Sequence, residues 1–463
     1  MATRWTVYLA SLGTPVGGDH DGSEYLEQHS IMIYDTSALD SEYSDKDNLI
    51  IYDPVLTREA NEAGSFECDI PPYNTGYDEF DTYKDNVSGI LKTYVAIYRD
   101  GNPYWQGRIT EVTKDFNNNK HIYAEGDLAL YNDFQCKITW ADFEGYSDDN
   151  GRVMYLPLKF FTTVAQVPTN IPYGAEGKVT SPAFTYGIDA QLGDVLLMLS
   201  TNTSTDNTGD VVYMSRWEAL KDHFLDGLMD TYQDRAFIYT SRYQTGTSSS
   251  VFKRQLNLLL FGTDGTLIWG ESPETEQTVE FGKNLLDMNV KYSSEDVTTA
   301  IHAYGYTTKG WWIFEKTTPI ERVDYNLDLI AQYGWIEKTI SIDGQSSTIE
   351  QLTEIVNNEL SQMVNNTSIV TEIEIKAVDL VYAGEATDHL EFMKRTHIVS
   401  EPHGIDGVYL CTRSVEHLDD PASNEYSFGK TTHTASQRKA ISDRKTAKSY
   451  DISRTTKSYV VDS

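Results

Sequence analysis

Arg108 lies in the apolar, strand-like run "YWQGRITEV", and Glu125 follows seventeen positions later, directly before Gly126. An arginine and a carboxylate so placed suit either an active-site charge pair or a structural ion pair that ties strands together. The structural reading is favoured, because no motif nearby supplies a reacting group. The ten histidines are scattered, with neither HExxH nor a close HxH pair to hold zinc. Cys68, Cys136 and Cys411 are far apart and odd in number, so they read as small apolar residues rather than a disulfide framework. Cys411 ends the apolar run "GVYLC", a poor setting for an activated thiolate. "GESPE" (Gly270 to Glu274) lacks the last glycine of a nucleophile elbow. Neither GxGxxG nor GxxxxGK[ST] occurs, so the usual phosphate cradle is missing. "GDHDGS" and "SDDNGR" have the look of calcium loops without the spaced oxygens and terminal glutamate, and read as acidic turns. A carboxylate pair for glycoside hydrolysis stays open, since only the fold would set it. "KGWWIFEK", with Trp311 and Trp312, and "QYGWIEK" could stack on sugars or pack a core. The expectation is no catalytic residue, no metal and no cofactor.

The charge narrows the partners. Thirty-seven Lys and Arg against 70 Asp and Glu leave a net charge of -33, which repels phosphate backbones and anionic membranes. DNA could slide through such a body without sticking. No stretch reaches the ~20 apolar residues of a membrane span, and "RWTVYLASLGTPVGG" has no convincing cleavage site. The chain therefore reads as a soluble product made in the cytoplasm.

The elements that must position these residues are mostly strands. A chain of 463 residues exceeds one core, and 31 Tyr, 16 Phe and 8 Trp can fill several. Ile31–Tyr34 and Leu49–Tyr52 are apolar runs around an acidic loop, and "GSFECDI" stops at Pro71-Pro72. "TYVAIYRD", "YWQGRITEV" and "KHIYAEG" form a meander with turns at Asp100-Gly101 and at "NNN". In that register Trp105, Gly107 and Ile109 share one face, and Gln106, Arg108 and Thr110 the other. "LNLLLFGTDGTLIWG" is a further hairpin around Asp264-Gly265. Two amphipathic helices are expected, one with Trp217, Leu220, Phe224 and Leu228 on a stripe, one with Ile349, Leu352, Val356, Leu360 and Met363. The second opens on a capping box of Thr348 and Gln351. The fold class is α+β and β-rich. Residues 433 to 463 carry seven basic against three acidic residues, a basic arm that depends on partners for order.

Four blocks, in order, resemble the N-terminal hub region of phage tail-associated proteins, the baseplate hub or tail-tip proteins of long-tailed phages and prophages. They are "NLIIYDPVLTREANEAGSFECDIPPYNTGYD", "VAIYRDGNPYWQGRITEVTKDFNNNKHIYAEGDLALYND", "TVEFGKNLLDMNVKYSSEDVTTAIHAYGY" and "VDLVYAGEATDHLEFMKRTHIVSEPHGIDGVYLCTRSVEHLDDPASNEYSFG". The resemblance covers about residues 31 to 432. It implies a homotrimeric cup with two related barrel-like tube domains per chain, so that three chains present six similar units to a tail tube, and α+β wall domains. It also implies that Gly107, Arg108, Glu125 and Gly126, and in a second block Gly282, Asn284, Leu285 and Leu286, serve packing and assembly.

The expected layout is 1–136, an N-terminal extension with the first hub barrel; 137–275, an α+β cup-wall domain; 276–432, a second hub barrel with an inserted α+β segment; and 433–463, the basic arm. About 30 residues before the first matching strand read as an added contact with a neighbouring tail protein. The resemblance places the protein at the distal tail tip of a virion, joining the distal tail protein and tail tube to a fibre, spike or receptor-binding protein docked on the arm, with DNA passing through. A wall or capsule hydrolase on the same scaffold, and a carbohydrate-binding adhesin using Trp311 and Trp312, are the alternatives.

Overall fold

A computed structural model of the chain describes residues 3–11, 30–38, 47–78, 93–133, 135–138, 144–148, 151–155, 185–186, 212–215, 217, 236–244, 252–261, 267–293, 297–309, 316–346, 349, 352–353, 356–357, 370–386 and 388–429. β-structure dominates these residues. The meander forms where alternation and turn chemistry place it, because each turn residue takes the backbone it favours. Asp100 and Gly101, with φ of 51° and 79°, close the two-residue hairpin between paired Arg99 and Asn102. Asn118, with φ of 68°, closes the next turn, where the Asn119 amide donates to Asp115 Oδ1 at 2.7 Å.

Thirteen strands make one sheet. They are β1 (Trp5–Ser11), β2 (Ser30–Asp35), β3 (Tyr52–Glu59), β4 (Ser65–Ile70), β5 (Thr93–Arg99), β6 (Asn102–Lys114) and β7 (Lys120–Gly126), then β8 (Glu274–Glu280), β9 (Leu285–Ser293), β10 (Val370–Ala377), β11 (Arg395–Ser400), β12 (Ile405–His417) and β13 (Glu425–Gly429). The main path runs β9-β10-β13-β12-β3-β4-β7-β6-β5-β1-β2, with β11 pairing β12 and β8 pairing β11.

The path contains the same order twice. β3-β4-β7-β6-β5 is matched, strand for strand, by β9-β10-β13-β12-β11. The registers match as well. In the first half the last β5–β6 pair is Tyr94 with Arg108, and β6 shifts register against β7 between Ile109 and Glu111. In the second half the last β11–β12 pair is Arg395 with Leu410, and β12 shifts against β13 between Cys411 and Arg413. Arg108 and Leu410 thus hold equivalent places, each followed at the same distance by a bulge that bends a 13-residue strand. Each half has its own core. One gathers Trp5, Val7, Leu9, Ile33, Leu56, Phe66, Ile97, Trp105 and Ile109; the other gathers Val279, Ile373, Ile375, Ile398, Cys411, Tyr426 and Phe428. Each fully buried large side chain contributes roughly 1.5–3 kcal/mol relative to exposure.

Two strand expectations change. Trp5–Ser11, within the segment read as an extension, is an integral strand between β2 and β5 and buries Trp5, Val7 and Leu9. Trp5, Val7 and Leu9 recur at every second position, a strand signal in its own right. The run Leu49–Tyr52 is not a strand: Asp47–Leu49 is a 3-10 turn, and β3 begins at Tyr52. β3 tolerates Pro54 because register against β4 breaks between Tyr52 and Val55, where Asp53 takes a φ of 49°.

A three-stranded sheet is inserted between β9 and β10. Ala300–Lys309 lies at its centre, antiparallel to Lys316–Tyr325 and parallel to Glu337–Ser346. The crossover carries a short helix, Leu327–Tyr333, capped by Asn326, whose Oδ1 accepts from the amides of Asp328 (3.0 Å) and Leu329 (3.1 Å). Leu352 and Val356, from the second expected helix, are helical and buried against Ile301 and Ala303, whereas Ile349 is exposed. Leu360, Met363, Thr348 and Gln351 lie outside the described residues, as do Leu220, Phe224 and Leu228 of the first helix. Phe252–Phe261 pairs antiparallel with Leu267–Trp269, and the Asp264-Gly265 turn between them is likewise outside.

Candidate functional site

The two halves of the sheet join where β12 pairs with β3, His417 opposite Val55 through to Arg413 opposite Glu59. Leu56, Arg58 and Ala60 point to one side by strand alternation, as do Ser414, Glu416 and Leu418, and most of both sets is buried. Alternation therefore forces a guanidinium and a carboxylate into the seam. They answer each other: Arg58 donates to Glu416 Oε1 at 2.6 Å. Ser414 also donates to Oε1, at 2.9 Å, and the Tyr104 hydroxyl donates to Oε2, at 2.9 Å. The Arg58 guanidinium lies over the rings of Tyr104 (4.2 Å) and Phe392 (5.3 Å).

The network widens around Tyr104. Arg99 also lies over the Tyr104 ring, at 4.4 Å, and forms an ion pair with Glu391, which Lys394 also reaches at 2.9 Å. Trp5 packs edge-on against Tyr104, 5.0 Å between centroids, and its indole N–H donates to the Tyr382 hydroxyl at 3.1 Å. Next to Tyr382 stands His389, whose Nδ1 is 2.7 Å from Asp379 Oδ2. Gln277 donates to Asp379 Oδ1 at 2.8 Å and its own Oε1 accepts from the Leu380 amide at 3.0 Å. One chain of contacts thus runs from β3, β5, β6 and β1 of the first half into β12 and the β10–β11 connection of the second.

Its electrostatics favour permanence over turnover. Burial is the largest influence on Arg58 and would lower its pKa, but the electrostatic influence of Glu416 and Tyr104 and the hydrogen bond to Glu416 together outweigh it and hold the guanidinium raised. Burial pushes the Tyr104, Tyr382 and Tyr426 hydroxyls upward, so they stay neutral. Asp379 would be raised by burial, yet the hydrogen bonds from His389 and Gln277 keep it below the usual carboxylate range. Cys411, next to the seam, is buried, and that burial pushes its thiol well up, away from thiolate chemistry. Cys68 is buried too, while the side chain of Cys136 is outside the described residues. Among the described residues no group of three or more His, Cys, Asp and Glu is placed to hold a metal ion, and no helix is long and apolar enough to cross a membrane.

Arg108 and Glu125 come together away from this seam, directly opposite each other on β6 and β7, with Gly107 opposite Gly126. Both glycines are demanded by close approach. A Cβ on Gly107 would fall 2.4 Å from the Glu125 carbonyl oxygen and 2.2 Å from the Trp105 ring, and one on Gly126 would fall 2.0 Å from the Ala63 carbonyl oxygen. On β6, Trp105, Gly107 and Ile109 are buried; of the alternating set, Gln106 is buried as well, while Arg108 and Thr110 are half-buried. Asn284 is buried and ties three strand ends: its Oδ1 accepts from the Glu280 amide at 2.9 Å, and its carbonyl accepts from the Val378 amide at 2.8 Å. Leu285 packs against the second core. Gly282 and Leu286 do not pack; Gly282 is a turn residue at φ 82° with open space around it, and Leu286 is 56% exposed. Trp311, Trp312 and the basic arm 433–463 lie outside the described residues.

Sequence inspection passed over Arg58, Glu416, Tyr104, Arg99 and Asp379. A usable signal was present: in "VLTREA" and "SVEHL" a charged residue stands two places from apolar neighbours in an alternating run, which puts it on their buried face.

Comparison with solved structures finds similar chains. A prophage tail protein, gp18, from Listeria monocytogenes EGD-e is 12% identical over 95% of this chain and 99% of that one, with a TM-score of 0.43. A 43 kDa tail protein of prophage MuSo2 from Shewanella oneidensis is 10% identical over 92% and 98%, with a TM-score of 0.45. A Francisella PdpA-VgrG complex matches at 9% identity over 93% of this chain and 59% of that chain, with a TM-score of 0.42. These solved neighbours are tail and VgrG-type proteins. No family model matches the chain, and no curated protein does.

Proposed function

We propose that the protein is a structural, non-enzymatic component of a phage tail tip, a baseplate hub that closes the tail tube and connects it to the adhesion apparatus. The observation that carries this is the repeated strand order and register within one continuous sheet. A chain that carries the same unit twice offers two like surfaces to a ring, and three such chains would offer six, the number the resemblance to tail hubs calls for. The seam fits the role, since a buried charge network built on Arg58 and Glu416 supplies rigidity and no reacting group. In this reading 1–136 and 276–432 hold the tube units, 137–275 the cup wall, and 433–463 docks the next tail component. DNA passes through without being gripped, in keeping with the net charge of -33.

Light scattering of the purified protein tests this directly. The expected mass is three times 52.3 kDa, at least in the presence of the distal tail protein; a monomer under both conditions overturns the hub. A zymogram on host cell walls is expected to stay blank, and clearing would move the assignment to a hydrolase. One observation favours a second reading, a glycan contact. The inserted sheet exposes Tyr304, Tyr306, Tyr325 and Trp335, an aromatic surface of the kind that stacks on sugars. Binding to host wall glycans that is lost in Tyr306→Ala and Trp335→Ala would establish it.

A further inference from the structure

The internal repeat specifies how one copy of this chain meets another. This inference rests on the hub reading and adds the surface and the register. Within the chain, β3, the opening strand of the first half, pairs antiparallel with the C-terminal part of β12, Arg413 to His417. β11 covers only the N-terminal part of β12, ending at Leu410, which is why β3 finds room there. The first half has the same vacancy in its described pairing. β5 ends on Arg108, so Glu111 to Lys114 of β6 pair with β7 on one side alone, and Glu111, Thr113 and Lys114 are exposed. At the far end of the sheet stands β9, the counterpart of β3. It pairs with β10 alone among the described strands, with Asp287, Asn289 and Lys291 exposed.

The geometry points to β9 of one copy pairing antiparallel with Glu111 to Lys114 on β6 of the next, in the register that β3 and β12 use inside the chain. The equivalences follow from the pairings. Leu56 faces Phe66 and Val290 faces Ile373, while Phe66 faces Ala124 and Ile373 faces Phe428, so Leu56 corresponds to Val290. The two bulges make Glu111 correspond to Arg413 and Lys114 to Glu416. The internal pairs Val415 with Thr57 and Glu416 with Leu56 then become Thr113 with Lys291 and Lys114 with Val290 between copies. Glu111 comes diagonal to Lys291, opposite charges at a favourable spacing. The operation that carries one half onto the other, applied twice, carries each copy onto its neighbour, a heterologous contact that forms a ring when its rotation closes. It also covers two sheet edges that would otherwise invite indiscriminate pairing.

Cysteine cross-linking tests the register. Thr113→Cys with Lys291→Cys, and Lys114→Cys with Val290→Cys, place thiols on directly opposed residues, within disulfide reach across adjacent strands. Mild oxidation of the assembled full-length protein is expected to give a ladder at multiples of 52.3 kDa on a non-reducing gel for at least one pair. Thr113→Cys alone, and Thr113→Cys with Leu286→Cys, are expected to give none. Hydrogen exchange on the unmodified protein supplies a second reading, with amides of 111–114 and 290–293 losing protection on dilution to monomer. An assembled particle that shows neither the ladder nor that protection overturns this pairing and leaves the hub standing. So does a ladder from the off-register pair. A protein that light scattering finds monomeric throughout, with or without the distal tail protein, removes the hub reading itself.

Discussion

The two halves of the large sheet solve one packing problem with opposite residues. In the first half Trp105 of β6 lies over Gly107, two places on, and the ring approaches so closely that no Cβ fits there. In the second half the equivalent positions are Gly407 and Tyr409, and the Tyr409 ring lies over Gly407, 3.2 Å from where its Cβ would stand. An aromatic ring and a glycine two residues apart on one face have exchanged places. What the repeat preserves is the filled volume beside the bulge, not the identity at either position. The connections differ more. β3 and β4 are joined through residues 60–64, where Gly64 has a φ of 72°, whereas β9 and β10 are separated by 294–369, which carry the inserted sheet. A turn at the end of a strand pair is cheap to expand because closure entropy grows slowly with loop length.

The largest expected effect falls on the seam that unites the halves. Glu416→Ala leaves Arg58 buried and unpaired and is expected to cost about 3–5 kcal/mol in chemical denaturation. Arg58→Met with Glu416→Leu removes both charges and is expected to lose much less; equal losses would mean that packing, not the ion pair, sets the cost. A smaller contrast separates the two glycines. Gly107→Ala meets a backbone carbonyl at 2.4 Å and is expected to cost about 1–3 kcal/mol, while Gly407→Ala meets only the Tyr409 ring at 3.2 Å and is expected to cost less. A reversed order would break the equivalence of the two sites.

Acid acts on both halves, through Asp35, held low by its hydrogen bond from Arg4, in the first and through Asp379 in the second. Asp379, depressed by His389 and Gln277, contributes stability that is present above the ordinary carboxylate pKa of about 3.9 and lost as pH falls through its folded value. Asp379→Asn is expected to lower stability at neutral pH and to flatten its decline in acid. Parallel pH curves for the variant and the parent would exclude the linkage. The smallest effect belongs to the exposed residue of the second block: Leu286→Ala is expected to stay within about 0.5 kcal/mol of the parent. Among copies assembled through β9 it could change assembly without changing that value, and light scattering separates the two.

Turn chemistry and alternation are local, and the sequence by itself determined the elements that depend on them. The meander of β5, β6 and β7, the stop at Pro71-Pro72 and the turn at Asp100-Gly101 were all legible, because each is set by residues a few places apart. Local reading misplaced the start of β3, where a bulge lets Pro54 sit inside a strand, and assigned the segment holding β1 to an added contact rather than to the sheet. Only the tertiary structure decided that Arg58 meets Glu416, a pair 358 residues apart, and that Trp5 reaches Tyr382, 377 residues away. Such contacts exist only once β12 has paired with β3, in a register set by two hydrophobic faces burying together. The same holds for the repeat itself, which lies in strand order and bulge position while the residues that fill those positions have diverged, as Gly107 and Tyr409 show.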